Sequence, residues 1–372
     1  MKQTIYFKGL NGLRAIAAIA VLFSHTTHAL REFGLDSFVF GKYADGTAKT
    51  TLLAGFGVSI FFALSGFLIT YLLLEEKNLQ EINIRNFYIR RILRIWPLYY
   101  LYLILSILTL ILFDLPFEKK SVLYYTFMLP NIPFVFGGIM PFVGHYWSLG
   151  VEEQFYAFWP WIVKKRKELL HTTILFCVSL FLLKFVLRFT DLQMNQGEMS
   201  WPYQMLHVTR FHCMLIGAIG AILYFQKNKF FIWLSDNIVT QIISWLVILL
   251  TAINGFHILS FLDNEFISII TVFIIIGQIQ KTHRLINLDF SFFDFVGKIS
   301  YGIYVIHPLV IFYLSKVIQF TDKSSMFNYT IVYFIVFLTT IITAYLSYHF
   351  FEKRFLQLKE RYSTVSSSGT TL

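Results

Sequence analysis

The chain has 372 residues, 56% of them hydrophobic and 14% charged, with a formal net charge of +10. Soluble domains carry about a quarter charged residues, so this composition excludes an ordinary soluble protein and points to a polytopic membrane protein. Nucleic acid is not the implied partner of the positive charge, because the basic residues are sorted by loop instead of gathered into one patch.

Apolar runs of spanning length predict helices over 13–30, 53–74, 96–113, 146–163, 173–190, 206–225, 238–255, 260–278, 300–316 and 329–350. Ten spans put both chain ends on one side. That side holds 21 Lys and Arg against 7 on the other, which makes it cytoplasmic by the positive-inside rule. The expected fold class is therefore all-α: a polytopic transmembrane bundle of about 10 helices with both termini cytoplasmic. One integral membrane domain is expected over 1–355, followed by a cytoplasmic polar tail, 356–372, expected to be disordered. The lipid bilayer is its surrounding partner, and a multi-pass place in the cell (inner or plasma) membrane is expected.

At the start of the chain, Lys2 and Lys8 precede an apolar run and imitate a signal peptide. Arg14 opens that run, however, and no small-x-small site follows before His25 and His28, so retention is expected. Arg14 and His25 lie eleven residues apart in the first helix. At about 100° and ~1.5 Å per residue they return to within roughly 20° of one face, about 16 Å apart. An ionisable group at membrane depth is costly unless it lines a cavity, so both are site candidates. His25 and His28 have a spacing open to a metal, but no further ligand follows, and no metal is expected.

The third helix is preceded by Asn86-Phe87-Tyr88-Ile89-Arg90-Arg91-Ile92-Leu93-Arg94-Ile95-Trp96-Pro97. Arg90, Arg91 and Arg94 share helical faces. They either anchor the helix at the membrane surface or bind the phosphates of a cytosolic ligand bidentately. The loop over 114–145 is apolar and aromatic, and is punctuated by Pro116, Pro130, Pro133, Pro141, Gly137 and Gly138. Such a segment is expected to fold back onto the bundle as a lid or re-entrant stretch over an outer cavity.

The fourth helix opens with His145-Tyr146-Trp147-Ser148-Leu149-Gly150-Val151-Glu152-Glu153-Gln154-Phe155-Tyr156. Ser148 and Glu152 share a face, and Glu153 points about 100° away. The carboxylates are either interfacial, or one serves a histidine or substrate hydroxyl while the other ties the bundle. His207, Arg210 and His212 on the sixth helix are expected as their structural partners. Cys177 and Cys213 fall inside spans and say nothing of redox compartment. From the seventh helix onward the pattern is that of scaffold. In Tyr301-Gly302-Ile303-Tyr304-Val305-Ile306-His307-Pro308 the proline frees a carbonyl with which His307 can pair.

Taken in order, several of these segments resemble the acyltransferase 3 family of polytopic membrane O-acyltransferases, over nearly the whole chain. The markers are Gly9-Leu10-Asn11-Gly12-Leu13-Arg14 with His25, Phe61-Phe62-Ala63-Leu64-Ser65-Gly66-Phe67-Leu68-Ile69, Arg91 with Arg94, Trp147-Ser148-Leu149 running into Glu152-Glu153-Gln154-Phe155, and Ser300-Tyr301-Gly302-Ile303-Tyr304 before His307. The resemblance implies transfer of an acyl group, most often acetyl, from cytosolic acyl-CoA to a hydroxyl of a carbohydrate acceptor at or beyond the outer face. That acceptor would be a surface polysaccharide or a lipid-linked glycan. Acetyl-CoA would be a co-substrate, with no permanently bound cofactor. Arg14 and His25 match the family's essential arginine and histidine, and Arg91 and Arg94 its second arginine motif. Asn11 stands where many relatives have Asp. Some members carry a further extracytoplasmic hydrolase-like domain; none is expected after the tenth helix here, so the acceptor must reach the membrane domain or a separate extracytoplasmic partner must finish the transfer.

The expected catalytic set is His25 as general base with Arg14, Glu152 and Glu153. Arg14, Arg90, Arg91 and Arg94 are expected to hold the donor, and Trp147, Ser148, Tyr301 and His307 to bind substrate. The rival reading is a transporter or flippase of a glycan or acylated metabolite, against which the absence of an evident internal repeat counts.

Overall fold

The computed structural model describes residues 3–42, 46, 48–194, 198–323 and 325–367. A short strand, β1 (Gln3–Ile5), leads to Gly9, whose left-handed backbone (φ 81°) starts α1 (Leu10–Ala29). Arg14 and His25 therefore share one continuous helix, as their spacing requires. Next come α2 (Thr51–Leu79) and α3 (Ile84–Leu112). Asn83 caps α3 by accepting the Asn86 N–H at 3.0 Å. The helix thus begins well before the expected 96, and the arginine cluster lies inside it. Hydropathy marks the bilayer core, whereas the cap marks where hydrogen bonding begins.

The segment after α3 folds back as expected. It forms α4 (Ser121–Thr126), α5 (Asn131–Phe136) and a 3₁₀ turn over Gly144–Tyr146, with Tyr125, Asn131, Met140 and Val143 buried. Then follow α6 (Trp147–Lys165) and α7 (Leu169–Met194). The expected sixth helix is divided at Arg210, which adopts a left-handed conformation (φ 43°) between α8 (Trp201–Thr209) and α9 (Phe211–Phe225). The expected seventh is a pair, α10 (Lys229–Ser235) and α11 (Ile238–Ala252), bent by 53°. The chain continues through α12 (Asp263–Gln280), α13 (Ser291–Lys298), α14 (Ser300–Val317), α15 (Met326–Ser347) and, after a π turn, α16 (Lys353–Glu360) to β2 (Val365–Ser367).

Among the described residues, 8 helical segments are long and apolar enough to cross a membrane, or 9 with the bent α10–α11 pair counted. The expected fourth span, α6, is not among them because Glu152, Glu153, Lys164 and Lys165 dilute its hydropathy. Of the tail 356–372, expected to be disordered, the described part forms regular elements. Residues 356–360 belong to α16, and Val365 to Ser367 pair in parallel with Gln3 to Ile5; 368–372 lie outside the described residues. The polar composition of the tail hides this, because a strand pairing through its backbone needs no apolar run. The pairing also sets Gln3–Ile5 and Val365–Ser367 side by side on the bundle.

Helices α2 and α12 are central, with 67% and 72% of their apolar windows buried, against 17% for α7 and 22% for α15, which face lipid. Lipid is as apolar as leucine, so close backbone packing replaces the hydrophobic effect in holding the central helices together. At the α2–α9 crossing, a Cβ on Gly66 would collide with the Met214 carbonyl, and one on Gly217 with the Ala63 carbonyl. Gly66→Val is therefore expected to force α2 and α9 apart and to destabilise the protein by about 1–3 kcal/mol. A lowered thermal transition of the detergent-solubilised variant, relative to wild type, checks this.

Candidate active site

Two cavities meet inside the bundle. The first, about 110 Å³, lies toward the face that carries the chain ends. Arg14 of α1, Ser65 of α2, Arg91 and Arg94 of α3, Ser148, Glu152 and Tyr156 of α6, and Tyr301 of α14 line it. The second, about 790 Å³, lies toward the opposite face, and His25, His145, Trp147, His207 and Arg210 are among its lining residues. Val58 and Tyr304 line both. They form a septum across which Arg14 and His25, eleven residues apart on one helix, face different chambers.

In the first cavity, among the described residues, no carboxylate forms an ion pair with Arg14, Arg91 or Arg94. Arg14 Nη1 donates to Asn11 Oδ1 (3.1 Å), and Asn11 Nδ2 donates in turn to Asp294 Oδ1 (2.8 Å). Position 11 itself offers Arg14 an amide and no carboxylate. Here Asp294 of α13 supplies that carboxylate one residue removed, through the amide. Lys298 at 2.8 Å and the Tyr6 hydroxyl at 3.3 Å share Asp294 and hold its carboxyl below the usual range against the opposing effect of burial. Arg91 packs near the faces of Phe87 and Tyr156, with its guanidinium carbon 5.8 and 5.9 Å from the ring centres.

Glu152 accepts from Ser65 Oγ at 2.8 Å and from the Tyr156 hydroxyl at 3.3 Å. It faces the arginines in the first cavity. Helix α6 carries it inward, about one turn beyond Ser148. Glu153 lines neither cavity and accepts from Trp96 Nε1 at 3.1 Å, which ties α6 to α3.

Arg90, expected to hold the donor with Arg91 and Arg94, does not line the first cavity; it is buried against Glu76 at 2.7 Å and donates to the Tyr362 carbonyl at 2.8 Å. One residue, about 100° of helix, separates it from Arg91 and turns it to a different neighbour. The sequence shows the cluster and not which member faces inward.

His25 is the polar centre of the second cavity. Its Nδ1 lies 2.7 Å from His307 Nε2, and His307 Nδ1 lies 3.0 Å from the Ile303 carbonyl. A carbonyl can only accept, so His307 carries its proton on Nδ1 and accepts at Nε2; His25 must then donate from Nδ1, which leaves its Nε2 as a free base. His307, expected to bind substrate, is placed behind His25 and fixes its tautomer. The rings of His145 and His307 lie 5.1 Å apart, and His145 Nε2 is buried with no hydrogen-bond partner. Among the other expected substrate ligands, Trp147 lines the second cavity, whereas Ser148 and Tyr301 line the first. Ser148 Oγ lies 2.6 Å from the Tyr304 hydroxyl, which also donates to the His145 carbonyl at 2.8 Å, so the septum is braced by α6 and α14.

The expected pairing of His207, Arg210 and His212 with Glu152 or Glu153 is not seen. His212 Nε2 instead lies 3.0 Å from Glu265 Oε1, which also pairs with fully buried Lys184 at 2.6 Å. Arg210 is held by carbonyls and a hydroxyl. The later helices are accordingly more than scaffold: α12 brings Asp263 and Asn264 to the second cavity, and α14 brings Tyr304 and Pro308. Ser65, His145 and Tyr304 lie within segments marked out by the sequence but carry no helical-face signal that would single them out. Asp294 sits in an ordinary amphipathic stretch and gives none.

No solved structure matches this chain. The O-acetyltransferase OatA of Staphylococcus aureus (strain NCTC 8325 / PS 47) is 29% identical over 386 residues, covering 93% of this chain and 57% of that protein. "Putative peptidoglycan O-acetyltransferase YrhL" of Bacillus subtilis (strain 168) is 29% identical over 384 residues, covering 94% of this chain and 54% of its own length. The chain thus spans just over half the length of these relatives. Residues 7–349 match the acyltransferase domain, from just before α1 to the turn that follows α15. A match over nearly the whole helical bundle, with Arg14 and His25 on one helix inside it, makes this chain a multi-pass membrane member of the acyltransferase 3 family.

Proposed function

We propose that the protein is a membrane O-acetyltransferase that moves an acetyl group from cytosolic acetyl-CoA to a hydroxyl of a carbohydrate acceptor reached from the outer face of the cell membrane. The observation that carries this reading is the septum: a chamber lined by guanidiniums on one side of Val58 and Tyr304, and one lined by an oriented imidazole on the other. The positive-inside charge balance puts the chain ends, and with them the arginine chamber, in the cytoplasm. At about 110 Å³ that chamber falls below the roughly 300–1,000 Å³ of a pocket that engulfs a drug-sized molecule. It suits the slender thioester arm of the donor, with the nucleotide remaining at the mouth. The 790 Å³ chamber is large enough for a sugar residue and its neighbour.

In this reading Arg14, Arg91 and Arg94 hold the donor's phosphates and arm carbonyls, and Glu152 sets the position of Tyr156 and Ser65 around the arm. The acceptor hydroxyl oxygen attacks the thioester carbonyl carbon while His25 Nε2 takes its proton. The C–S bond then breaks, and the departing thiolate leaves as the thiol with that proton, so donor and acceptor end as free CoA and the acetyl ester. Acyl-CoA, a glycan or lipid-linked sugar, the bilayer and, where the product must be passed on, a separate extracytoplasmic protein are its partners.

Labelled acetyl-CoA supplied to sealed proteoliposomes with an oligosaccharide on the opposite side tests the reading. Label is expected to appear as ester on the sugar; a transporter would move sugar and consume no acetyl-CoA. Arg91→Ala is expected to raise the KM for acetyl-CoA by about 10- to 100-fold with a smaller change in kcat, the loss of one or two charge-assisted hydrogen bonds. An unchanged KM would remove Arg91 from the donor site.

A further inference from the structure

A guanidinium buried in the outer half of a membrane protein is costly unless a counter-charge meets it. Arg210 is partly buried on the wall of the large cavity, and its bound partners are all neutral. Its Nε donates to the His207 carbonyl at 3.2 Å, and its Nη1 donates to the Gly55 carbonyl at 2.9 Å and Ser59 Oγ at 3.3 Å. Its guanidinium carbon lies 5.3 Å from the centre of the Trp147 ring, a further cation-binding contact without charge.

Among the described residues no carboxylate bonds Arg210 directly, although Glu265 acts on it through space. Glu265 is bound by Lys184 at 2.6 Å and approached by His212 at 3.0 Å. Asp263, on the cavity wall, takes His257 Nδ1 at 2.8 Å and the Ile258 and Leu259 amides at 2.9 and 3.2 Å. The backbone bends to put Arg210 where it is: a left-handed residue interrupts what would otherwise be one helix. Such a conformation is uncommon for a residue with a side chain. His25 lines the same chamber, so a ligand on Arg210 shares that chamber with the proposed base.

We propose that Arg210 is the anion-recognition residue of the acceptor site, and that the acceptor carries an oxyanion, a carboxylate or a phosphate, near the hydroxyl that is esterified. The proposal rests on the second cavity being the acceptor chamber. With Nε and Nη1 engaged by two carbonyls and a hydroxyl, the N–H groups of Nη2 remain in a fixed orientation, free to make a charge-assisted hydrogen bond to an oxyanion, which is stronger than one to a hydroxyl. Its role is to hold the acceptor in register with His25.

Binding and transfer measured side by side on the full chain in nanodiscs keep this proposal and the transferase reading apart. Calorimetry with cellobiouronic acid against cellobiose isolates the carboxylate, and maltose 1-phosphate against maltose isolates the phosphate. The acid or the phosphate is expected to bind about tenfold or more tightly than its neutral counterpart, the worth of one charge-assisted contact. Whichever of the two pairs shows the difference names the source of the anion. Arg210→Gln is expected to abolish that preference and Arg210→Lys to keep part of it, with the thermal transitions of both variants reporting that they fold. Equal affinity for charged and neutral sugars in the wild type, or a preference that survives in Arg210→Gln, overturns the proposal. If anion-selective binding is present and labelled acetyl-CoA yields no ester on any sugar, the transferase reading fails while Arg210 stands as an anion site.

Discussion

Replacing His25 by alanine is expected to lower acetyl transfer by roughly 10²- to 10⁴-fold, the usual contribution of a positioned general base. The loss should fall on kcat. Donor affinity should hold, because the arginines that line the donor chamber lie beyond Val58 and Tyr304 from the imidazole. Transfer from labelled acetyl-CoA to an oligosaccharide, together with donor binding measured on the same preparation, separates these quantities. Wild-type turnover in His25→Ala would end the assignment. The histidine behind it makes the test sharper. His307 meets His25 Nδ1 at 2.7 Å and is held from behind by the Ile303 and Tyr304 backbone. His307→Ala is therefore expected to cost about 10- to 100-fold in turnover with donor KM unchanged, because the His25 tautomer is no longer fixed. His307→Gln, whose side-chain oxygen still accepts from Nδ1, is expected to recover much of that loss. A merely structural histidine would not be rescued in this way. Nitrogen chemical shifts of labelled His25 should report the Nδ1-protonated form in the wild type and a mixture in His307→Ala.

The largest effect on stability is expected at Glu265. Lys184 on α7 is fully buried, and its ammonium has Glu265 at 2.6 Å and the Phe261 carbonyl at 2.5 Å. Since Glu265 is on α12 and His212 on α9, one carboxylate joins three helices. Removing one partner of a buried pair leaves the other charge uncompensated, which costs about 3–5 kcal/mol, whereas replacing both by apolar residues of similar size is often neutral. Glu265→Leu should therefore unfold at markedly lower temperature in detergent, and Lys184→Met combined with Glu265→Leu should regain most of the difference. If the double variant is no more stable than the single one, the pair is not what holds α7 to α12.

Much of the architecture was legible because the membrane imposes a simple rule: a stretch must be long and apolar to cross. Helices α1, α2, α3 and α14 follow it, and the eleven-residue separation of Arg14 and His25 already placed them on one face. What the rule could not supply is direction around a helix that packs on several sides. Arg90, Arg91 and Arg94 look alike in sequence, yet Arg90 turns to Glu76 and only the other two reach the cavity. Glu152 and Glu153 divide in the same way, between Ser65 and Trp96. Nor could periodicity foresee partners far along the chain: His25 meets His307, and Lys184 meets Glu265, through tertiary folding alone. Arg210 was hidden for a different reason. Its importance lies in a helix break, and nothing in Thr209-Arg210-Phe211 marks a turn.

The parallel pairing of β1 with β2 makes the ribbon a dependant of the bundle. Gln3 pairs with Val365 across almost the whole described chain. Joining two points that far apart on a free chain would cost roughly 5 kcal/mol in loop-closure entropy. The packed helices between them bring the two strands together, so the ribbon draws its stability from the bundle and not the reverse. Ile5 shares one small recess with Arg14, and Val365 shares another with Arg91. Opening this single ribbon would therefore loosen the surroundings of both arginines at once.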